Sequence, residues 1–103
     1  MKETELIVNY IPEFLKFLKS KFTLIHQSNF FFRDFHYGVM EFLKARGKKV
    51  HYQDGEAIAR EAAAVLEQKG IFKRIDHQSW LLNYPDFALP RVEKQAAPTP
   101  AAS

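Results

Sequence analysis

The N-terminal stretch of the chain has the hydrophobic pattern of an amphipathic helix. At the helical rotation of about 100° per residue, its apolar side chains cover an arc of roughly 200°, about twice the width that a surface helix of a monomer needs. They are Leu6, Ile7, Val8, Tyr10, Ile11, Phe14, Leu15, Phe17, Leu18 and Phe22. The helix should begin near Glu3 or Tyr10 and end at Lys21, with Pro12 in its first turn or at a kink. We therefore expect it to contact two partners, either two faces of its own domain or its domain and another chain.

A second helix is predicted after Ser28 or Asn29, either of which can act as its N-cap, and Gly47 should follow its C-terminus. Its core stripe consists of Phe31, Phe35, Val39 and either Phe42 or Leu43. The three consecutive phenylalanines at positions 30–32 fan out over roughly 200° on a helix, so at least one of them must pack elsewhere. A strand-like segment, residues 23–27, precedes this helix and should pair with a C-terminal hairpin.

The remaining pattern predicts a third helix and a β-hairpin. Asp54 is the expected N-cap of the helix, and Lys69 and Gly70 close it. Its core arc should comprise Ile58, Ala59, Ala62, Val65 and Leu66, and its exposed arc Glu56, Ala57, Arg60, Glu61, Ala63, Ala64, Glu67 and Gln68. Two β-prone runs, residues 71–76 and 79–84, have hairpin spacing, and Trp80 in the second run should lie in the core.

Composition limits the classes of protein that the chain can belong to. It has 103 residues, of which 47% are hydrophobic, and no cysteine, which excludes a disulfide framework, a thiolate nucleophile and Cys-ligated metal sites. The start of the chain lacks the pattern of a secretory signal, and no segment has the ~18 apolar residues that a membrane span requires. We expect a cytoplasmic protein with one domain over residues 1–90 and a disordered Ala- and Pro-rich tail over residues 91–103.

Several residues in the second half of the chain carry a family resemblance. Gly38 is followed by Phe42 and Leu43, and the third helix contains an Arg-Glu-Ala-Ala run at positions 60–63, then Leu66 and a Gly-Ile pair at positions 70–71. Over about residues 30–84 this pattern resembles the winged helix-turn-helix superfamily, and in part its DEP-type members. The resemblance implies an α+β winged helix with three helices, a small β-sheet whose C-terminal hairpin is the wing, and here an extended N-terminal helix.

In DNA-binding winged helices the last helix enters the major groove. Here its exposed arc carries three carboxylates and a single arginine, which suits a polyanion poorly. The formal net charge is only +3. A DNA-binding regulator that contacts mainly the phosphate backbone is nevertheless the alternative function, and it would use Lys48, Lys49, Arg60, Lys73 and Arg74. These cations can equally form a solvated rim.

The chain contains ten phenylalanines, most of them before residue 43. They either form one aromatic core shared by the first two helices or extend into an intermolecular contact, since aromatic residues are enriched at interfaces. We favour a non-enzymatic module that associates with protein, as a homodimer or in a larger complex. The predicted interface residues are Tyr10, Phe14, Phe17, Phe30 and Phe32.

Catalytic chemistry has little support in the sequence. The four histidines, His26, His36, His51 and His77, fall on four different elements and form no metal-ligand spacing. The four glycines stand singly, so there is no phosphate-binding loop. We predict no catalytic residue, no metal, no cofactor and no small-molecule substrate.

Overall fold

The computed structural model describes residues 2–89, which form an α+β fold with a three-stranded antiparallel sheet. Its elements are α1 (Lys2–Val8), α2 (Ile11–Lys21), β1 (Asn29–Phe31), α3 (Phe32–Ala45), α4 (Tyr52–Gln68), β2 (Phe72–Asp76), β3 (Ser79–Leu82) and a 3-10 turn (Pro85–Phe87). None of the helices in this part of the chain has the length and hydropathy to cross a membrane. The tail predicted for residues 91–103 lies outside the described residues.

The single N-terminal helix predicted from the pattern is two helices, so the described chain has four helices and the expected count of three was wrong. Tyr10, with φ −136° and ψ 46°, separates them, and Pro12 lies in the first turn of α2. In a continuous helix the Pro12 ring would clash with the carbonyl of Val8, which explains the break. The expected interruption at Pro12 is therefore confirmed.

The break lets the wide apolar arc serve two faces of the same domain. Helix α1 packs against α4, whereas α2 packs against α3. Ala63, which was expected to be exposed on α4, is buried, and Val65, which was expected in the core, is only half-buried. The buried side of α4 is thus rotated from the predicted arc. The rotation arises because α1 packs against α4, so that α4 buries the small Ala63 in addition to most of its predicted core residues.

The first strand lies at Asn29–Phe31, so its prediction at residues 23–27 was wrong. Gln27 has φ 67°, and the Ser28 hydroxyl donates to the Ile25 carbonyl, so a turn occupies the end of the predicted strand. The strand instead takes up two of the three consecutive phenylalanines and pairs Phe30 with Trp80. The predicted N-caps of α3 were also wrong, because Ser28 and Asn29 belong to this turn and strand.

The predicted C-terminal ends of the helices agree with the structure better than their predicted N-terminal starts. Gly47 and Gly70 have φ 82° and 78°, the left-handed conformation that favours glycine after a helix, and both predicted ends are confirmed. Helix α4, in contrast, begins at Tyr52 and not after Asp54. Asp54 lies in the first turn of α4, where its charge is favourable to the helix dipole.

The sheet has the order β1-β3-β2, and both pairs are antiparallel. The predicted hairpin between β2 and β3 is confirmed, with His77 and Gln78 at the turn. The Asp76 carboxylate accepts hydrogen bonds from the Gln78 N–H at 2.8 Å and the Ser79 hydroxyl at 2.9 Å, which closes the turn. The central strand β3 is mostly buried, so it forms the base on which the other elements pack.

One aromatic cluster fills the core. Phe35 is fully buried, and its ring centroid lies 5.4 Å from that of Trp80 in an edge-to-face arrangement. Its other ring neighbours are Phe14 at 5.7 Å, Phe30 at 6.4 Å and Phe72 at 5.3 Å. The burial expected for Trp80 is confirmed, but Phe31, predicted in the core stripe, is 52% exposed because it lies on β1, where its neighbour Phe30 faces the core.

Replacement of Phe35 by alanine should lower the free energy of unfolding by about 3–5 kcal/mol, because it leaves a cavity where four rings meet. Urea unfolding followed by circular dichroism measures this loss. Phe31→Ala is the matched control, and as a substitution at a half-exposed position it should cost less than about 1 kcal/mol. Equal losses for the two variants would contradict the central position of Phe35.

Candidate functional site

An open groove of about 660 Å³ is a concave surface that brings aromatic, charged and histidine side chains together. We call it the α3–α4 groove, because it lies between the start of α3, the first half of α4 and the β2–β3 turn. Its lining residues are Phe31, Phe32, Arg33, Asp34, His36, Tyr52, Glu56, Arg60, His77 and Gln78.

Two exposed aromatic residues line this groove. Phe31 is 52% exposed and Tyr52, the first residue of α4, is 68% exposed. Phe31 faces outwards because Phe30, its neighbour on the strand, fills the core. Phe32 is half-buried beneath the groove, with its ring centroid 6.0 Å from that of Trp80. The groove surface is therefore a direct extension of the aromatic core.

The buried His36 connects α3 to the start of α4. Its Nε2 lies 3.0 Å from the backbone carbonyl oxygen of Tyr52. Because a carbonyl oxygen can only accept, the Nε2–H group donates this hydrogen bond. The two rings are 4.3 Å apart at their centroids, which holds Tyr52 over His36. Gly55 on α4 allows Met40 of α3 to approach α4 closely, because a Cβ there would lie 2.6 Å from the Cγ of Met40. His36 thus positions one wall of the groove, a role that the sequence analysis missed because it considered the histidines only as catalytic groups or metal ligands.

The charged side chains of the groove occur in balanced numbers, with two arginines and two carboxylates among its lining residues. The Arg60 guanidinium lies 4.3 Å from the centroid of the Phe32 ring and 3.1 Å from the Glu56 carboxylate. Arg33 is exposed at the start of α3, beside Asp34 in the same turn. Formal charge therefore cancels across the groove, and Arg60 is the only member of the predicted DNA-binding set that lines it.

Arg74, predicted to contact phosphate from the wing, is bound to a carboxylate of α4. Its Nη2 lies 2.6 Å from Glu67 Oε2, and the Trp80 indole N–H donates to the same oxygen at 2.9 Å. The hydrogen bond from Arg74, with a further one from Trp80, lowers the pKa of the Glu67 carboxyl below its ordinary value of 4.5. The charge of Arg74 is thus compensated within the fold.

The other cations of the predicted DNA-binding set stand apart from the groove. Lys48 and Lys49 are exposed in the loop between α3 and α4, and Lys73 is exposed on β2. None of these three lysines forms an ion pair with a residue in the range 2–89. Of the five predicted positions, two are therefore paired arginines and three are solvated lysines.

The five predicted interface residues fall into different environments. Phe14 and Phe30 are buried in the core of the chain itself, so they provide no surface, and their prediction as interface residues was wrong. Tyr10 is 46% exposed, and Phe17 is half-buried in a shallow concavity against Phe42. Only Phe32 belongs to the α3–α4 groove.

The described histidines and carboxylates form no group of three or more that could hold a metal ion. His26, like His36, has a structural contact, since its Nδ1 accepts the backbone N–H of Tyr84 at 3.0 Å. This bond ties the turn before β1 to the end of the hairpin.

Glu67→Gln should lower the free energy of unfolding at pH 7 by about 1 kcal/mol, a value already reduced for the exposure of the pair. Because the folded state has the lower pKa, the stabilisation by the carboxylate is complete above about pH 5 and disappears as the pH falls through the folded-state pKa. Unfolding curves should therefore show wild type and variant converging in acid. Glu56→Gln, in an exposed pair, should cost less than about 0.5 kcal/mol, and a constant difference at all pH values would contradict the Glu67 assignment.

Comparison with known proteins identifies no relative of this chain. No family model matches it, and no curated protein or solved structure matches it either. We therefore infer the function from the groove, the paired arginines and the exposed lysines.

Proposed function

We propose that the chain is a non-enzymatic, winged-helix-type interaction module that binds an extended segment of a protein in the α3–α4 groove. The observation that carries this proposal is the groove itself, which exposes the rings of Phe31 and Tyr52 and pairs Arg60 with Glu56. Rigid aromatic side chains in a concave surface provide contact area at low conformational cost, as in the centres of protein interfaces.

The order of the elements supports the winged-helix part of the proposal. Helices α3 and α4 follow β1, and the β2–β3 hairpin follows α4, with the strands in the order β1-β3-β2. This is the arrangement that the resemblance to winged helices implies, with α1 and α2 together taking the place of the first helix. The hairpin turn contributes His77 and Gln78 to the groove, so the wing forms one of its walls.

The charges favour protein over nucleic acid as the partner. Binding to a polyanion draws most of its affinity from unpaired cations that replace counterions. On α4 and the wing, Arg60 is paired with Glu56 and Arg74 with Glu67. An approaching phosphate would have to displace these carboxylates or lie beside them, whereas an uncharged peptide would not.

The structure also changes where we place the docking surface. Self-association through the first helix relied on an apolar arc that is too wide for one domain. Because α1 packs on α4 and α2 on α3, that arc is largely used inside the domain. Of the interface residues predicted on the first helix, only Tyr10 and Phe17 retain accessible surface. We therefore assign docking to the groove in preference to a dimer formed through the first helix.

Selection from a random peptide library displayed on phage tests the proposal with the full chain as bait. We expect peptides that bind wild-type protein, with affinity falling at least about tenfold in Tyr52→Ala, because this ring is the more exposed of the two exposed aromatic rings in the groove. Tyr37→Ala is the matched control, since Tyr37 is 56% exposed on α3 outside the groove. An absence of enriched peptides, or equal losses in both variants, would contradict groove docking.

Binding of duplex DNA separates the proposed function from the DNA-binding alternative. If the proposed function is correct, fluorescence anisotropy at ~150 mM salt should detect no binding of random duplex DNA with a Kd below about 100 µM, the weak end of ordinary non-specific binding. The solvated lysines Lys48, Lys49 and Lys73 are the observation that keeps this alternative open. Salt-dependent binding that the charge reversals Lys49→Glu and Lys73→Glu abolish would favour DNA as the partner.

A further inference from the structure

We infer that the α3–α4 groove binds the C-terminal segment of the same chain, with Pro98, Thr99 and Pro100 against the exposed rings of Phe31 and Tyr52. This inference rests on the proposed function, because it names an occupant for the same groove. It makes the module self-binding, so that a partner would have to displace the segment.

The first support is the place where the described chain ends. The backbone N–H of His26 donates to the carbonyl of Phe87 at 3.0 Å, so Leu89 lies two residues beyond a point fixed next to His26. From His26 the chain leads through β1 to Phe32, whose N–H donates to the Gln78 carbonyl at 2.7 Å, at the mouth of the groove. The end of the described chain and the groove therefore lie at opposite ends of the same pair of strands.

The distance between these two points lies within the reach of the segment. Six residue-to-residue steps lead from His26 to Phe32. At about 3.3–3.6 Å per extended residue they span at most roughly 20 Å. The nine steps from Leu89 to Pro98 can reach about 30 Å by the same measure, which is enough to bring Pro98 to the groove. A short tether that covers the span gives a millimolar effective concentration, so even weak contacts suffice for occupancy.

The chemistry of the segment suits the groove. Residues 95–103 read QAAPTPAAS and contain no charged side chain. The charges of the groove are balanced, so an uncharged occupant leaves the Arg60–Glu56 pair intact. Segments that contain proline lose little entropy on binding and commonly dock on aromatic-lined grooves. The small alanines on both sides of the two prolines allow a close approach to open rings such as that of Tyr52.

The chain has no cysteine, so one introduced cysteine provides a unique labelling site. A nitroxide on Ala101→Cys of the full chain should broaden the backbone amide signals of Phe31, Arg33, Tyr52 and Gln78 in ¹⁵N-resolved NMR spectra, relative to the reduced label. The broadening should fall at least about fivefold in a variant that also carries Pro98→Gly and Pro100→Gly, because the glycines restore the entropy cost of binding. Broadening that is absent from the groove amides would overturn the inference.

Two comparisons separate this inference from its alternatives. Tyr52→Ala should remove the broadening at Phe31 and Gln78, whereas Tyr37→Ala should leave it unchanged. Mixing ¹⁵N-labelled chain without nitroxide and unlabelled chain with nitroxide should give no groove broadening, and broadening in this mixture would mean that the segment comes from a second copy, which overturns binding within one chain.

The outcome also differs from that of the peptide selection. If the groove binds displayed peptides but the nitroxide has no effect, the self-binding inference alone fails. If both are correct, the variant with Pro98→Gly and Pro100→Gly should bind a selected peptide at least about threefold more tightly than wild type does, because occupancy by the segment lowers apparent affinity. Unchanged peptide affinity in that variant would count against self-binding and leave groove docking in place.

Discussion

The packing of aromatic rings around Phe35 is the constraint on which the rest of the structure depends. Rings from α2, β1, β2 and β3 meet this one side chain of α3. Phe30 can reach it only if residues 29–31 are extended and pair with β3, which moves the start of α3 to Phe32. The alternation of that strand then exposes Phe31. The groove is therefore a consequence of how the core is filled.

Burial of the one tryptophan determines much of the surface charge. The indole N–H of Trp80 needs an acceptor when it is removed from water, and Glu67 provides it. The same carboxylate binds Arg74, so a wing cation is used to balance a charge that the core requires. Arg60 is held in a similar way between Glu56 and the Phe32 ring. Both arginines thus belong to the architecture of the domain, which reduces what α4 and the wing can offer to a polyanion.

Local signals predicted those features that depend on a few neighbouring residues. The glycines at 47 and 70 end their helices because each has positive φ, and the hairpin lies where two β-prone runs flank a short polar turn. Residues 23–27 also have strand-like character, but pairing with β3 places the strand later, at Asn29. The core side of α4 was predicted with a rotation error, because a helical wheel of one helix cannot show that α1 packs against α4 or that Ala63 is buried.

By itself the sequence determined the α+β class, the hairpin, the helix ends and the mild net charge, because each follows from composition or from spacing within one element. The tertiary structure alone decided which of the ten phenylalanines are surface residues, and it absorbed all but Phe31 wholly or partly into the core. It also decided that Arg74 on β2 is paired with Glu67 on α4 and that Phe31, His36 and Tyr52 share one groove. These facts depend on contacts between different elements, and no periodicity within a single element encodes them.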